Sequence, residues 1–138
     1  MEAESVIYGS KLIDREVKNM AGETLGRLEE LVLDVEDGCL VYAVVRFGRG
    51  MAKAGKLFAV PWRAMQLAKD EATLLLDIEK ASAENAPSFD KNSWPNMADR
   101  RWGRSIHTFF EQTPYWEERG HPRRVLEEPE RQYATATP

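Results

Sequence analysis

Nine residues, Cys39 to Phe47, constrain the fold of this chain more than any other stretch. Read with the two-residue period of a strand, Cys39, Val41, Ala43, Val45 and Phe47 share one face, and Leu40, Tyr42 and Val44 share the other. A strand that is apolar on both faces has to be covered on both, which places it at the centre of a sheet. Asp37-Gly38 immediately before it is a hairpin-turn signal and connects it to the run Leu31-Val32-Leu33.

Other short strands follow from the same kind of punctuation. Leu12 to Val17 is bounded by Asn19-Met20-Ala21-Gly22, Leu57 to Val60 runs into Pro61, and Thr73 to Ile78 follows a turn at Lys69-Asp70 and is expected to be the last strand. One stretch is ambiguous. Leu25, Leu28, Leu31, Val32 and Val35 fall three and four apart, the period of an amphipathic helix. Gly26 and the flanking turns oppose a helix, and a strand with an irregularity near Glu29-Glu30 is equally allowed.

Beyond Ile78 the character changes. Glu79 to Asn85 reads as a short helix stopping before Pro87, and Asp99 as the cap of a helix over Arg100 to Gln112, with Trp102, Ile106, Phe109 and Phe110 as its apolar stripe. From Glu117 onward Glu, Arg, Pro and small polar residues dominate, the composition of a disordered or loosely draped tail. At 138 residues and 43% apolar, the chain suffices for one domain with a tail. Its net charge of −4 lies wholly in residues 1–89, which hold 11 basic and 15 acidic side chains. That excess disfavours nucleic-acid binding by broad electrostatics, leaving only local patches at Arg49, Lys53 and Lys56 or at Arg100, Arg101 and Arg104. No apolar run reaches the roughly 20 residues of a membrane-spanning helix. The acidic start, Met1-Glu2-Ala3-Glu4, is unlike a secretory signal, so a cytoplasmic location is expected.

Motifs for chemistry fail one by one. Gly50-Met51-Ala52-Lys53-Ala54-Gly55-Lys56 matches a phosphate loop, yet Leu57 replaces the Ser or Thr that binds the metal, and a strand ending in Pro61 follows where a helix is needed. His107 and Glu111 are four apart, but no third metal ligand is visible and His121 lies in the polar tail, so His107 reads as a solvated or capping histidine. Asp34, Glu36 and Asp37 lack the glycine and closing glutamate of a calcium loop and read as an acidic turn. Cys39 is the single cysteine, opens the most apolar strand and reads as a small hydrophobe; the serines lack a nucleophile context. No catalytic residue, cofactor site or metal site is expected, and the chain is read as non-enzymatic.

Aromatic side chains are the unusual feature. Phe89, Trp94, Trp102, Phe109, Phe110, Tyr115 and Trp116 fall within 28 positions, more than loop sequence carries unless each buries its surface. They either pack the extension against the strand domain or a second copy, or form a partner-binding surface. Trp94, Trp102, Phe109, Phe110, Tyr115 and Trp116 are the candidate interaction residues.

Several stretches together resemble the PRC-barrel family: Ser10-Lys11-Leu12-Ile13, Gly22-Glu23-Thr24-Leu25-Gly26, Leu40-Val41-Tyr42-Ala43-Val44, Lys56 through Trp62, and Leu76-Asp77. Ala86-Pro87-Ser88-Phe89-Asp90 with Trp94-Pro95 is similar to the extension of many small bacterial members. The resemblance implies a mainly β fold, a small barrel of about six mostly antiparallel strands closed so that few edges remain, with an aromatic-rich helical extension at the C-terminus. It implies strand for Leu25 to Val35. Similar domains form the cytoplasmic part of the photosynthetic reaction centre H subunit and the C-terminal domain of the ribosome maturation factor RimM, both adaptor roles. The expected organisation is a barrel at residues 5–80, an extension at 81–116 and a tail at 117–138. The expected function is a protein-interaction module that pairs as a homodimer. A ribosome- or RNA-associated factor is the alternative, and a small-ligand binder or enzyme a more distant one.

Overall fold

The computed structural model describes residues 6–70 and 72–117. The strands are β1 (Glu16–Lys18), β2 (Thr24–Asp34), β3 (Cys39–Phe47), β4 (Leu57–Pro61), β5 (Met65–Leu67), β6 (Leu74–Leu76) and β7 (Ser88–Phe89). The helices are α1 (Lys80–Ala83) and α2 (Arg100–Phe109), with 3-10 turns at Gly9–Lys11, Trp62–Ala64 and Tyr115–Glu117. All seven strands join one sheet in the order β5-β6-β1-β2-β3-β4-β7, antiparallel throughout except for the parallel pair of β1 and β6.

The mainly β expectation holds, while the closed barrel does not. β5 and β7 are the two edges of an open ladder among the described residues. Closure would need β5 and β7 to pair, and β7 is only two residues long, joined to β4 through Leu57 and Phe58; after Pro61 the chain coils through the 3-10 turn Trp62–Ala64 into β5. Met65 of β5, Leu74 and Leu76 of β6, and Phe58 and Val60 of β4 nevertheless belong to one apolar cluster, which requires the sheet to curl tightly on itself.

β2 is a strand, and its register explains its helix-like spacing. Against β3, Glu29 is skipped between the pairs Leu28–Val45 and Glu30–Val44, so Leu28 and Leu31 face the same side although three residues apart. Against β1, Leu25 is skipped between Gly26 and Thr24. The hairpin to β3 turns through Gly38 at φ 70°, and the β1–β2 turn through Gly22 at φ 85°. At Gly26 the strands come so close that a Cβ would fall 2.0 Å from the Arg46 carbonyl oxygen.

Burial shows β3 to be an interior strand covered on both faces: Val41 to Val45 are all buried, as is every residue of β4. The main core gathers Leu12, Val17, Leu25, Leu28, Val45, Phe47 and Phe58 with Ala83 and Ala86 beyond the last long strand. Phe47 and Phe58 stack with centroids 4.3 Å apart. Four local expectations are corrected. The strand expected over Leu12 to Val17 shrinks to Glu16–Lys18, because residues 9–11 form a 3-10 turn that drops Leu12 into the core. Thr73 to Ile78 does not hold the last strand, since Ser88 and Phe89 add a short one to the free side of β4. The helix expected over Glu79 to Asn85 is the single turn Lys80–Ala83, whose capping N–H of Glu84 bonds back to Lys80. The helix expected to reach Gln112 ends at Phe109, because Glu111 turns to φ 59°.

Candidate functional site

The segment after β7 builds a second layer on the outer face of β3 and β4. Asp99 caps α2, its carboxylate accepting from the Arg101 N–H at 2.9 Å. One face of α2 then lies on the sheet, with Ile106 clustered against Val41, Tyr42 and Ala59. The Tyr42 ring is the hub. It meets Trp102 edge-on at 5.3 Å, His107 at 5.6 Å and Tyr115 perpendicularly at 5.8 Å. Trp116 crosses His107 at 5.6 Å and lies under the guanidinium groups of Arg100 at 5.2 Å and Arg104 at 5.7 Å.

The six aromatic candidates separate by position. Trp102 and Tyr115 pack on the outer cluster, Phe109 on the main core, and Phe110 on both. Trp116 closes the far side of α2. Trp94 alone is exposed, at 40%; its ring leans on Phe89 and its Nε1–H donates to the Lys91 carbonyl at 2.7 Å.

His107 is not the solvated or capping residue that the sequence suggests. It is 2% exposed, and both ring nitrogens are engaged. Nδ1–H donates to the Gly103 carbonyl at 2.8 Å, and Nε2 accepts from the Tyr115 N–H at 3.3 Å. The two bonds together require the neutral ring with its proton on Nδ1. Burial holds the imidazole pKa below its ordinary value and Arg104 pushes the same way, against the Gly103 bond and Glu117. The signal was present in the sequence: Gly103, Ile106, His107 and Phe110 share one helical face.

Where this layer meets the sheet, a cleft of about 510 Å³ opens. The β2–β3 turn supplies Asp34, Asp37 and Cys39, the β4–β5 corner Pro61, Trp62 and Arg63, and the extension His107, Thr113 and Tyr115. Leu40, Val41 and Met65 make its walls apolar. Burial raises the Tyr115 phenol pKa, and the Asp34 carboxylate adds to the rise. Both nitrogens of the His107 ring are thus occupied within the layer, by the Gly103 carbonyl and the Tyr115 N–H.

The remaining motifs take their places elsewhere. Gly50 to Lys56 is the loop between β3 and β4, leading into a strand, and Lys56 pairs with Asp90 at 2.9 Å. The acidic turn is self-satisfied in part, the Asp34 carboxylate accepting from the Glu36 N–H at 3.0 Å. Among the described residues no group of three or more His, Cys, Asp or Glu side chains converges as a metal site. His121 and the expected tail lie outside the described residues, apart from Glu117, which ends a 3-10 turn and pairs with Arg104 at 2.9 Å.

The fold and its outer layer define a class: a small curled β domain carrying an added aromatic layer, with a cleft at the seam. A family model for the PRC-barrel domain matches residues 4–81, and the chain belongs to the PRC-barrel family. No curated protein matches it. Among the described residues no helix is long and apolar enough to cross a membrane.

Proposed function

We propose that this chain is a non-enzymatic protein-interaction module, its curled β domain at residues 5–80 acting with the extension at 81–116 as one adaptor unit. The observation that carries the reading is the cleft at their seam, lined by Tyr115 and Trp62 together with apolar side chains and the carboxylates of Asp34 and Asp37. Aromatic anchors beside a partly apolar depression are the usual centre of a protein contact. Membership of a family whose domains generally bind and do not catalyse supports the same reading. Of the six aromatic candidates, Tyr115 and Trp94 are the ones assigned to partner contact, and the others to holding the layer in place.

The test is site-specific photo-crosslinking in the native cell. A benzophenone amino acid at Thr113, exposed at the cleft, is compared with one at Ala81, exposed at the opposite end of the sheet. A discrete protein adduct from Thr113 alone is expected, and an adduct of twice the chain mass identifies a second copy as the partner. No adduct, or the same adducts from both positions, overturns the reading.

A further inference from the structure

β2 is eleven residues long, yet β1 covers only Thr24 to Arg27 of it. Leu28 is still bonded on that side, its N–H donating to the Arg15 carbonyl at 3.0 Å and its carbonyl accepting from the Asp14 N–H at 2.7 Å. From Glu30 to Asp34 the strand pairs with β3, and no other described strand joins its second edge. Leu31 shows the consequence: its N–H donates at 3.0 Å to the carboxylate of its own neighbour, Glu30. Alternation along the strand puts the Leu33 N–H on the same open edge. Leu33 is 56% exposed and Val35, just past the strand, 86% exposed. A long open edge beside apolar side chains is a template for another strand.

Its charge selects the kind of strand. Residues 29–37 contain Glu29, Glu30, Asp34, Glu36 and Asp37 and no Lys or Arg. Glu29 is paired with Arg46 from β3, and the Lys11 ammonium lies 5.9 Å over the Tyr8 ring. Glu30 and Asp34 therefore give the edge an acidic face. We infer that the edge of β2 from Glu29 to Asp34 takes an extended, basic segment of a partner protein by strand addition. A second copy is disfavoured, because two β2 edges pairing about Val32 would set Glu30 opposite Asp34, and like charges across a ladder repel.

The inference rests on the interaction reading above, but its test reads Glu29 to Leu33, the part of the edge outside the cleft that Asp34 lines. The ¹⁵N-labelled full chain is titrated with two designed peptides of sequence TKVKVKT and TEVEVET, blocked at both ends. The lysine peptide shifts the amides of Glu29 to Leu33, slows hydrogen exchange at Leu31 and Leu33, and binds about tenfold tighter than the glutamate peptide, a gap that narrows in salt. Leu33→Pro removes an edge donor without touching the β3 ladder and abolishes binding. If that variant does not fold, Glu30→Lys, outside the cleft, decides by abolishing the preference for the lysine peptide. Equal affinity for both peptides, shifts confined to the cleft, slow exchange at Leu31 and Leu33 already in the free chain, or sedimentation as a dimer that Leu33→Pro dissolves would each overturn it. Cross-linking at Thr113 that persists when the peptides fail marks the edge assignment, and not the interaction reading, as the error.

Discussion

A Cβ placed on Gly103 would lie 2.6 Å from the Tyr42 hydroxyl, so α2 sits on the sheet at a separation only a bare Cα allows. The same Cβ would meet the Trp116 ring at 3.0 Å. Among the described residues the buried Tyr42 oxygen has no hydrogen-bond partner, and burial, with Tyr115 adding to it, raises the pKa of its phenol far above the ordinary value. The contact is made for shape and leaves a polar atom unsatisfied.

Gly103→Ala is therefore expected to destabilise the chain even though alanine is the better helix former. The helix gains about 1 kcal/mol from the substitution, against an overpacking cost of about 1–3 kcal/mol. Tyr42→Phe, which removes the unpartnered oxygen, should be neutral or slightly stabilising and should recover part of the loss in the double variant. Urea melts of the four proteins check this; strict additivity would mean that the two residues do not meet.

His107 ties stability to pH. Its folded pKa lies below its unfolded value of about 6.5, so its contribution is complete above that value and is lost as pH falls through it toward the folded pKa. Protonation also turns Nε2 from acceptor to donor against the Tyr115 N–H. Unfolding free energy should drop between pH 6.5 and 5 by up to about 1.4 kcal/mol per pH unit from this group. In His107→Gln that part of the slope should vanish, while the carboxylate-dependent fall at lower pH remains. Denaturant melts across the range, with the two slopes compared, provide the measurement.

Legibility in the sequence followed the physics of each signal. β3 could be read because two apolar faces in nine residues admit one environment. β2 could not be read from periodicity, since skipping Glu29 and Leu25 shifts the alternation and imitates a helix; a resemblance spread over the whole domain resolved it. The open sheet was hidden because closure is a pairing between the end strands β5 and β7, which no local pattern reports. The burial of His107 is legible only from the helical face it shares with Gly103, Ile106 and Phe110, where Gly103 supplies both a carbonyl and a space. The cleft joins residues 34 to 115, a separation no local pattern reports.

The loop at Gly50 to Lys56 should not bind nucleotide. Its last lysine is spent on Asp90, and the chain continues into β4, so no helix N-terminus faces a phosphate there. Titration calorimetry with ATP and magnesium is expected to show no heat of binding at millimolar concentration. Lys56→Ala should change stability by less than about 1 kcal/mol, as befits an ion pair exposed on both sides. Micromolar affinity lost in that variant would contradict the prediction.

Truncation after Lys80 tests whether the outer layer is structural. The cut removes β7 from the free side of β4, Ala83 and Ala86 from the main core, and Ile106, Trp102 and Phe110 from Tyr42 and its neighbours. Each large side chain fully covered is worth about 1.5–3 kcal/mol, and a domain of this size has only about 5–15 kcal/mol in total. Losing several together should leave about 80 residues that unfold at least 15 °C lower, at roughly 4–8 °C per kcal/mol, or that do not fold. A dye that binds exposed apolar surface should light up on whatever remains compact, because Val41, Tyr42 and Ala59 would face water. The assignment of Trp102, Phe109, Phe110 and Trp116 to the layer's own packing stands on that outcome. A truncated chain that melts like the full one would instead release all four as contacts for a partner.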